Sequence, residues 1–123
     1  MTRFEKIILS ITGGSHLSVH ALMLALPSLI PVIRNEFDVG LSTLGFVVSI
    51  SGFMFGLGAI PAGWAEKRFG GRQLLLIYQA GSSISALLVA LSGSFAMMVL
   101  GLGFMGFFCS IYHPAGLTLI SHR

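Results

Sequence analysis

At 123 residues, with 54% apolar and only 9% charged side chains, the chain has too little polar surface for a water-soluble domain, where about 25% charge is usual. Its net charge of +3 comes from seven basic and four acidic residues gathered in short segments, so it marks where the chain meets water and is no sign of a nucleic-acid partner. The single cysteine, Cys109, excludes an intrachain disulfide and says nothing of redox compartment.

Four apolar windows follow one another, each near or above the ~20 residues that cross a bilayer as a helix. Helix is expected because an unpaired backbone group costs several kcal/mol in lipid and the period-two alternation of a barrel is absent. The first span covers roughly residues 8–33 and carries Gly13, His16 and His20 on one face. It reads as an uncleaved span, because the apolar run is long, is interrupted by both histidines and lacks a convincing cleavage site. Such polar residues in a span face a bundle interior or water. Counted from the span centre, His20 is expected near the midplane and His16 about 6–9 Å towards the side of the amino terminus.

The second span, roughly 42–64, has Ser42, Gly45, Ser49, Gly52, Gly56, Ala59 and Gly63 at alternating spacings of three and four. A seam of small residues lets helix backbones approach closely, which drives helix association in lipid. Both static packing and a sliding interface against a moving partner fit it. The next segment, 65–72, reads AEKRFGGR and is the one dense knot of charge. It predicts a short loop, with Gly70 and Gly71 supplying the positive φ of a tight reversal between adjacent antiparallel helices. Trp64 just before it suits the aromatic belt at a membrane face.

The third span is expected over roughly 73–92 and the fourth over roughly 95–121. The fourth has Gly103, Gly106, Ser110 and His113 on one face, and Pro114 predicts a kink there. His113 is expected at the depth of His16, so the histidines of the first and fourth spans can converge on one cavity. An imidazole of ordinary pKa, about 6.5, changes charge in the physiological range. His16, His20, Ser110 and His113 are therefore the candidate substrate or proton pathway, and a small solute and a coupling proton are the expected partners. Neutral histidines bonded across helices to backbone or serine are the plainer alternative.

With a cytoplasmic amino terminus, Arg3, Lys6, Lys67, Arg68, Arg72 and Arg123 all fall inside and only Arg34 outside, beside Glu36 and Asp38. That orientation satisfies the positive-inside rule, with an inner or plasma membrane as the default location.

Three patterns lead nowhere. GLGFMG at 101–106 lies inside a span without a preceding strand, so it is no nucleotide loop. His16 and His20 have zinc-ligand spacing but lack a third ligand, so no metal is expected. No span holds a carboxylate to complete a hydrolytic triad, so no enzyme activity and no cofactor are expected.

The stretch PAGWAEKRFGGRQLLL resembles the signature loop of the major facilitator superfamily, Gly-x-x-x-Asp-Arg/Lys-x-Gly-Arg-Arg/Lys. Gly63, Arg68, Gly70 and Arg72 match without a gap. Lys67 stands where the family has Asp, Gly71 where it often has Arg, and Glu66 offers an acid one residue early. The resemblance implies an all-α integral membrane fold, with these spans as helices 1–4 of twelve, and a chain truncated from a longer transporter. It implies secondary transport of a small solute by alternating access, with the loop acid stabilising the outward-facing state. It also implies that the first and fourth helices line the central path and that the second lies between the two halves. Two other architectures stay open: a complete four-helix dimeric exporter, and a non-transporting membrane subunit.

Overall fold

The computed structural model describes residues 1–121; Arg123, expected on the cytoplasmic side, lies outside the described residues. The described chain is helical almost throughout, with no strands.

Helix α1 spans Arg3–Phe37. It starts with a capping box: the Thr2 hydroxyl accepts from the Glu5 N–H at 3.2 Å, and the Thr2 N–H donates to Glu5 Oε2 at 3.0 Å. Pro27 and Pro31 lie within it without ending it. Asp38 ends it in the left-handed conformation (φ 49°, ψ 47°), its N–H returned to the Arg34 carbonyl. At ~1.5 Å per residue α1 is about 50 Å long, more than a ~30 Å hydrocarbon layer needs.

Helix α2 spans Leu41–Ala90 and contains both the second and the third expected spans. It is not straight. Gly70 has φ 78° and ψ 160°, a conformation that only glycine adopts readily. The expected loop at 65–72 is therefore corrected: residues 65–69 complete the first arm, helix resumes at Gly71, and Gly70 alone carries the reversal. One residue without a Cβ turns the backbone by itself, so no flexible segment is required.

Helix α3 (Phe95–Ser110) starts at Ser94, whose hydroxyl accepts from the Met97 N–H at 3.3 Å. Helix α4 (Tyr112–Ser121) follows after a break at Ile111. The two make one apolar stretch of 27 residues, Phe95–Ser121, whose hydrogen-bond ladder lapses at Ile111 while its backbone stays in the right-handed helical region (φ −66°, ψ −24°). Pro114 has no N–H for the Ser110 carbonyl, so the ladder is interrupted one turn before the proline.

Close approaches fix the directions of the spans. A Cβ on Gly101 would meet Val89, one on Gly81 the Phe108 ring, and one on Gly71 the Ala115 carbonyl, so α3 and α4 run antiparallel to the second arm of α2. A Cβ on Gly106 would strike the Ser51 carbonyl and one on Gly58 would strike Ser110, so α3 runs parallel to the first arm. The two arms are therefore antiparallel to each other. Helix α1 closes the bundle: Phe37 meets Phe95 at one end (5.8 Å between ring centroids), and Thr12 meets Tyr112 near the other.

The buried core joins Val19, Leu26 and Ile33 of α1, Leu44 and Val47 of the first arm, Leu74 and Tyr78 of the second, and Met98, Leu102, Met105 and Cys109 of α3. Large side chains such as Leu17, Phe46, Phe53, Ile60, Leu76 and Leu100 point outward. In water that distribution would be costly; in lipid it needs no compensation.

Candidate functional site

The site grows from two tyrosines that tie α1 to its neighbours. Tyr78, in the second arm of α2, donates its hydroxyl to the Ser15 carbonyl at 3.1 Å. Tyr112, at the start of α4, donates to the Thr12 carbonyl at 2.8 Å. Both side chains are buried, and their rings lie 5.6 Å apart. A buried phenol needs a partner, and a backbone carbonyl of the facing helix supplies it. These bonds fix the rotation of α1 against the second arm of α2 and against α4, and bring its histidine face alongside His113.

His16 and His20, one turn apart on α1, have ring centroids 4.6 Å apart. His16 lies 6.1 Å from His113 and 5.4 Å from Tyr112, both on α4. His113 is in turn 5.8 Å from Phe55 on the first arm of α2. Three imidazoles and two aromatic rings from three spans thus gather in one patch. All three histidines are exposed, on a face of the bundle that no other described residue covers.

Their hydrogen bonding differs from that of the rest of the interior. Every buried side-chain polar atom among the described residues has a partner. Ser51 donates to the Leu102 carbonyl at 3.2 Å, and Thr12, Ser82 and Ser85 return to carbonyls of their own helices. The three imidazoles make ring contacts but no hydrogen bond among the described residues. Their N–H groups and lone pairs are available to something else. Neutral imidazole offers one donor and one acceptor, and imidazolium two donors.

Ser110 departs from the expected group. It is buried, donates to the Phe107 carbonyl at 2.6 Å and packs where α3 meets Gly58. Ser110 is buried against Gly58 while His113 is exposed, so Ser110 sits in the helix packing. Sequence reasoning missed Phe55, Tyr78 and Tyr112. The signal for the tyrosines was present, since a phenol within a span must find a hydrogen-bond partner. Phe55 had none, being one phenylalanine of ten.

The small-residue seam also sits differently from simple internal packing. A Cβ on Gly45, Gly52, Gly56 or Gly63 would meet nothing within 4 Å, and Ser42, Ser49 and Ala59 are exposed. The Ser49 hydroxyl bonds back to Gly45 of its own helix at 2.9 Å. Packing inside the chain uses the neighbouring stripe of Leu44, Val47, Ser51, Gly58 and Ala62. Gly52 and Ala59 share a helix face with Phe55, so the seam borders the imidazole patch.

Around Gly70, Lys67, Arg68 and Arg72 are exposed and Glu66 is half-buried. Arg68 stacks beside Phe69, its guanidinium carbon 5.7 Å from the ring centroid. Glu66 forms no ion pair with Arg68 or Arg72, so the local charges stay separate among the described residues.

The family model for the Major Facilitator Superfamily matches residues 11–123. The chain belongs to the major facilitator superfamily. Among curated proteins it is similar to the tetracenomycin C resistance and export protein of Streptomyces glaucescens, 30% identical over 84% of this chain and 20% of that protein. It is also similar to the MFS-type transporter ppzB of Metarhizium majus (strain ARSEF 297), 28% identical over 79% of this chain and 22% of that one. The chain thus spans about a fifth of the length of these curated relatives. No solved structure matches it. Membership in this superfamily agrees with an integral, multi-pass, all-helical fold.

Proposed function

We propose that the chain forms the first four spans of a transporter that moves a small solute across the membrane by alternating access. The observation that carries this is the meeting of His16, His20 and His113 on an uncovered face, with no hydrogen bonds of their own. Polar groups left unpaired within membrane spans need water, a solute or a proton. The relatives, one named an export protein and the other a transporter, support the same function.

In this mechanism the imidazoles bind the solute or hold a coupling proton, while Tyr78 ties α1 to the second arm of α2 and Tyr112 ties it to α4, so the three move as one body. The seam of Gly45, Ser49, Gly52, Gly56 and Ala59 then lies against the second half of the transporter, where small side chains let the surfaces slide. The amino terminus and the turn at Gly70 face the cytoplasm, and Arg68 and Arg72 anchor that turn to lipid phosphate. Glu66 stands in for the acid of the signature loop by approaching a helix end in one state of the cycle. An acid at a helix N-terminus contributes about 0.3–1 kcal/mol, enough to bias a balanced two-state equilibrium.

The test is His113→Gln in the full-length transporter, assayed in liposomes across a pH range. Transport should fall at least about tenfold, or lose its pH dependence, if the ring binds solute or carries the proton. Unchanged rate together with unchanged pH profile would refute the role.

A further inference from the structure

We infer that His16 and His20 of α1 and His113 of α4 form a binding site for a divalent transition-metal ion, with Zn²⁺ as the fitting example. The site rests on donor chemistry and ring positions, and it holds whatever solute the transporter carries.

A neutral imidazole presents a lone pair from one ring nitrogen, and it suits zinc, copper and nickel as a ligand. His16 and His20 are four residues apart, so they stand one above the other on a single face of α1. A helix uses that spacing to hand two imidazoles to one zinc ion in the His-x-x-x-His pattern. Spacing within α1 is one ligand short, and the fold brings that ligand from α4.

Distances decide whether the rings can share an ion. Zinc stands about 2.0–2.1 Å from an imidazole nitrogen, which puts it about 3.2 Å from the ring centre. Two imidazoles on one tetrahedral ion therefore have centroids about 5 Å apart. His16 and His20 are 4.6 Å apart, within about 0.5 Å of that separation. His16 and His113 are 6.1 Å apart, about 1 Å too far. As the rings stand, no three described side chains are placed to hold an ion together. The planes of His16 and His20 meet at 63° and those of His16 and His113 at 76°, so closing the site takes rotation of the rings and an approach of about 1 Å by His113. The outer torsion of histidine is broad, so turning the ring costs little.

The backbone frame for that closure is already fixed. Thr12, His16 and His20 occupy successive turns of one face of α1. The Tyr112 hydroxyl bonds the Thr12 carbonyl at 2.8 Å, so the residue next to His113 is pinned one turn from His16. Three nitrogen ligands leave the fourth tetrahedral position to water or to an oxygen of a bound solute.

The experiment titrates Zn²⁺ into the full-length transporter in detergent, without any gradient, so its outcome does not depend on transport. The unaltered protein should bind one more Zn²⁺ per chain than the double variant His16→Gln with His113→Gln. About a hundredfold excess of Mg²⁺, which prefers oxygen ligands, should not displace that ion. His16→Gln and His113→Gln should each weaken its binding about tenfold or more. His113→Cys returns a zinc ligand to α4 and should recover the binding, which separates loss of a ligand from loss of the fold. Equal Zn²⁺ binding by the unaltered protein and the double variant overturns the inference, as does displacement by Mg²⁺. Binding that needs His16 but is indifferent to His113 overturns it too, since the ion is then not shared by two helices. A His113→Cys variant that binds no better than His113→Gln counts equally against it.

Discussion

Replacing Gly106 by alanine sets two effects of opposite sign against each other. Alanine is the better helix former by up to about 1 kcal/mol. The new methyl group, however, would fall on the Ser51 carbonyl oxygen and 3.1 Å from both the Ser51 carbonyl carbon and Oγ. Neither can yield easily, because the carbonyl is backbone and Oγ is held by its bond to the Leu102 carbonyl at 3.2 Å. Overpacking of this kind costs about 1–3 kcal/mol, so the clash wins and Gly106→Ala should destabilise the bundle by about 1–2 kcal/mol. Gly52→Ala is the matched control: its Cβ meets nothing within 4 Å, so within this chain only the propensity gain remains. It should be neutral or stabilising by about 0.5–1 kcal/mol. Cys109 provides the assay, being the sole thiol and fully buried in α3. Its labelling by a maleimide in detergent micelles with increasing dodecyl sulfate reports opening of the helix packing. Gly106→Ala should speed labelling by about five- to thirtyfold, and Gly52→Ala should leave it unchanged or slow it. If Gly106→Ala labels no faster than the unaltered chain, the close approach of α2 and α3 at Ser51 is wrong.

Other expectations follow from single features. Gly70→Ala forces a side chain into φ 78°, ψ 160° and should cost about 1–3 kcal/mol in the same labelling assay; an unaffected variant would mean the reversal does not depend on this residue. Tyr112→Phe removes the hydroxyl bond from α4 to α1 at about 0.5–1.5 kcal/mol, lowering the yield of a disulfide engineered between α1 and α4 while Cys109 stays protected. Lys67→Cys should react with an impermeant thiol reagent only from the cytoplasmic side of sealed vesicles; labelling from the exterior would invert the proposed topology.

The membrane setting, the all-helical class and the family were legible in the residues themselves. Lipid forbids unpaired backbone, so a long uncharged run has essentially one solution, and local composition is enough to find it. Gly70 was readable too, since a reversal between helices requires a residue tolerant of positive φ, although the extent of loop around it was overestimated. What one chain position cannot encode is the rotation of a helix against its neighbours. The small residues of the second span form two adjacent stripes; periodicity singled out Gly45–Gly52–Gly56, whereas the chain packs through Ser51 and Gly58. Ser110 lies three residues before His113, yet it is buried against Gly58 of the first arm while His113 is exposed.

The histidines divide along the same line. Sequence by itself determined that three imidazoles fall in apolar windows, two within 8–33 and one within 95–121, and that these windows hold no carboxylate, because that needs only the order of residues. Only the tertiary structure decided that the rings meet beside Phe55, and that Tyr78 and Tyr112 hold them there by bonds across 63 and 100 residues of chain. Contacts so distant in sequence leave no local period, and in lipid, where apolar burial hardly favours one helix face over another, hydrogen bonds and close steric fit select the rotation.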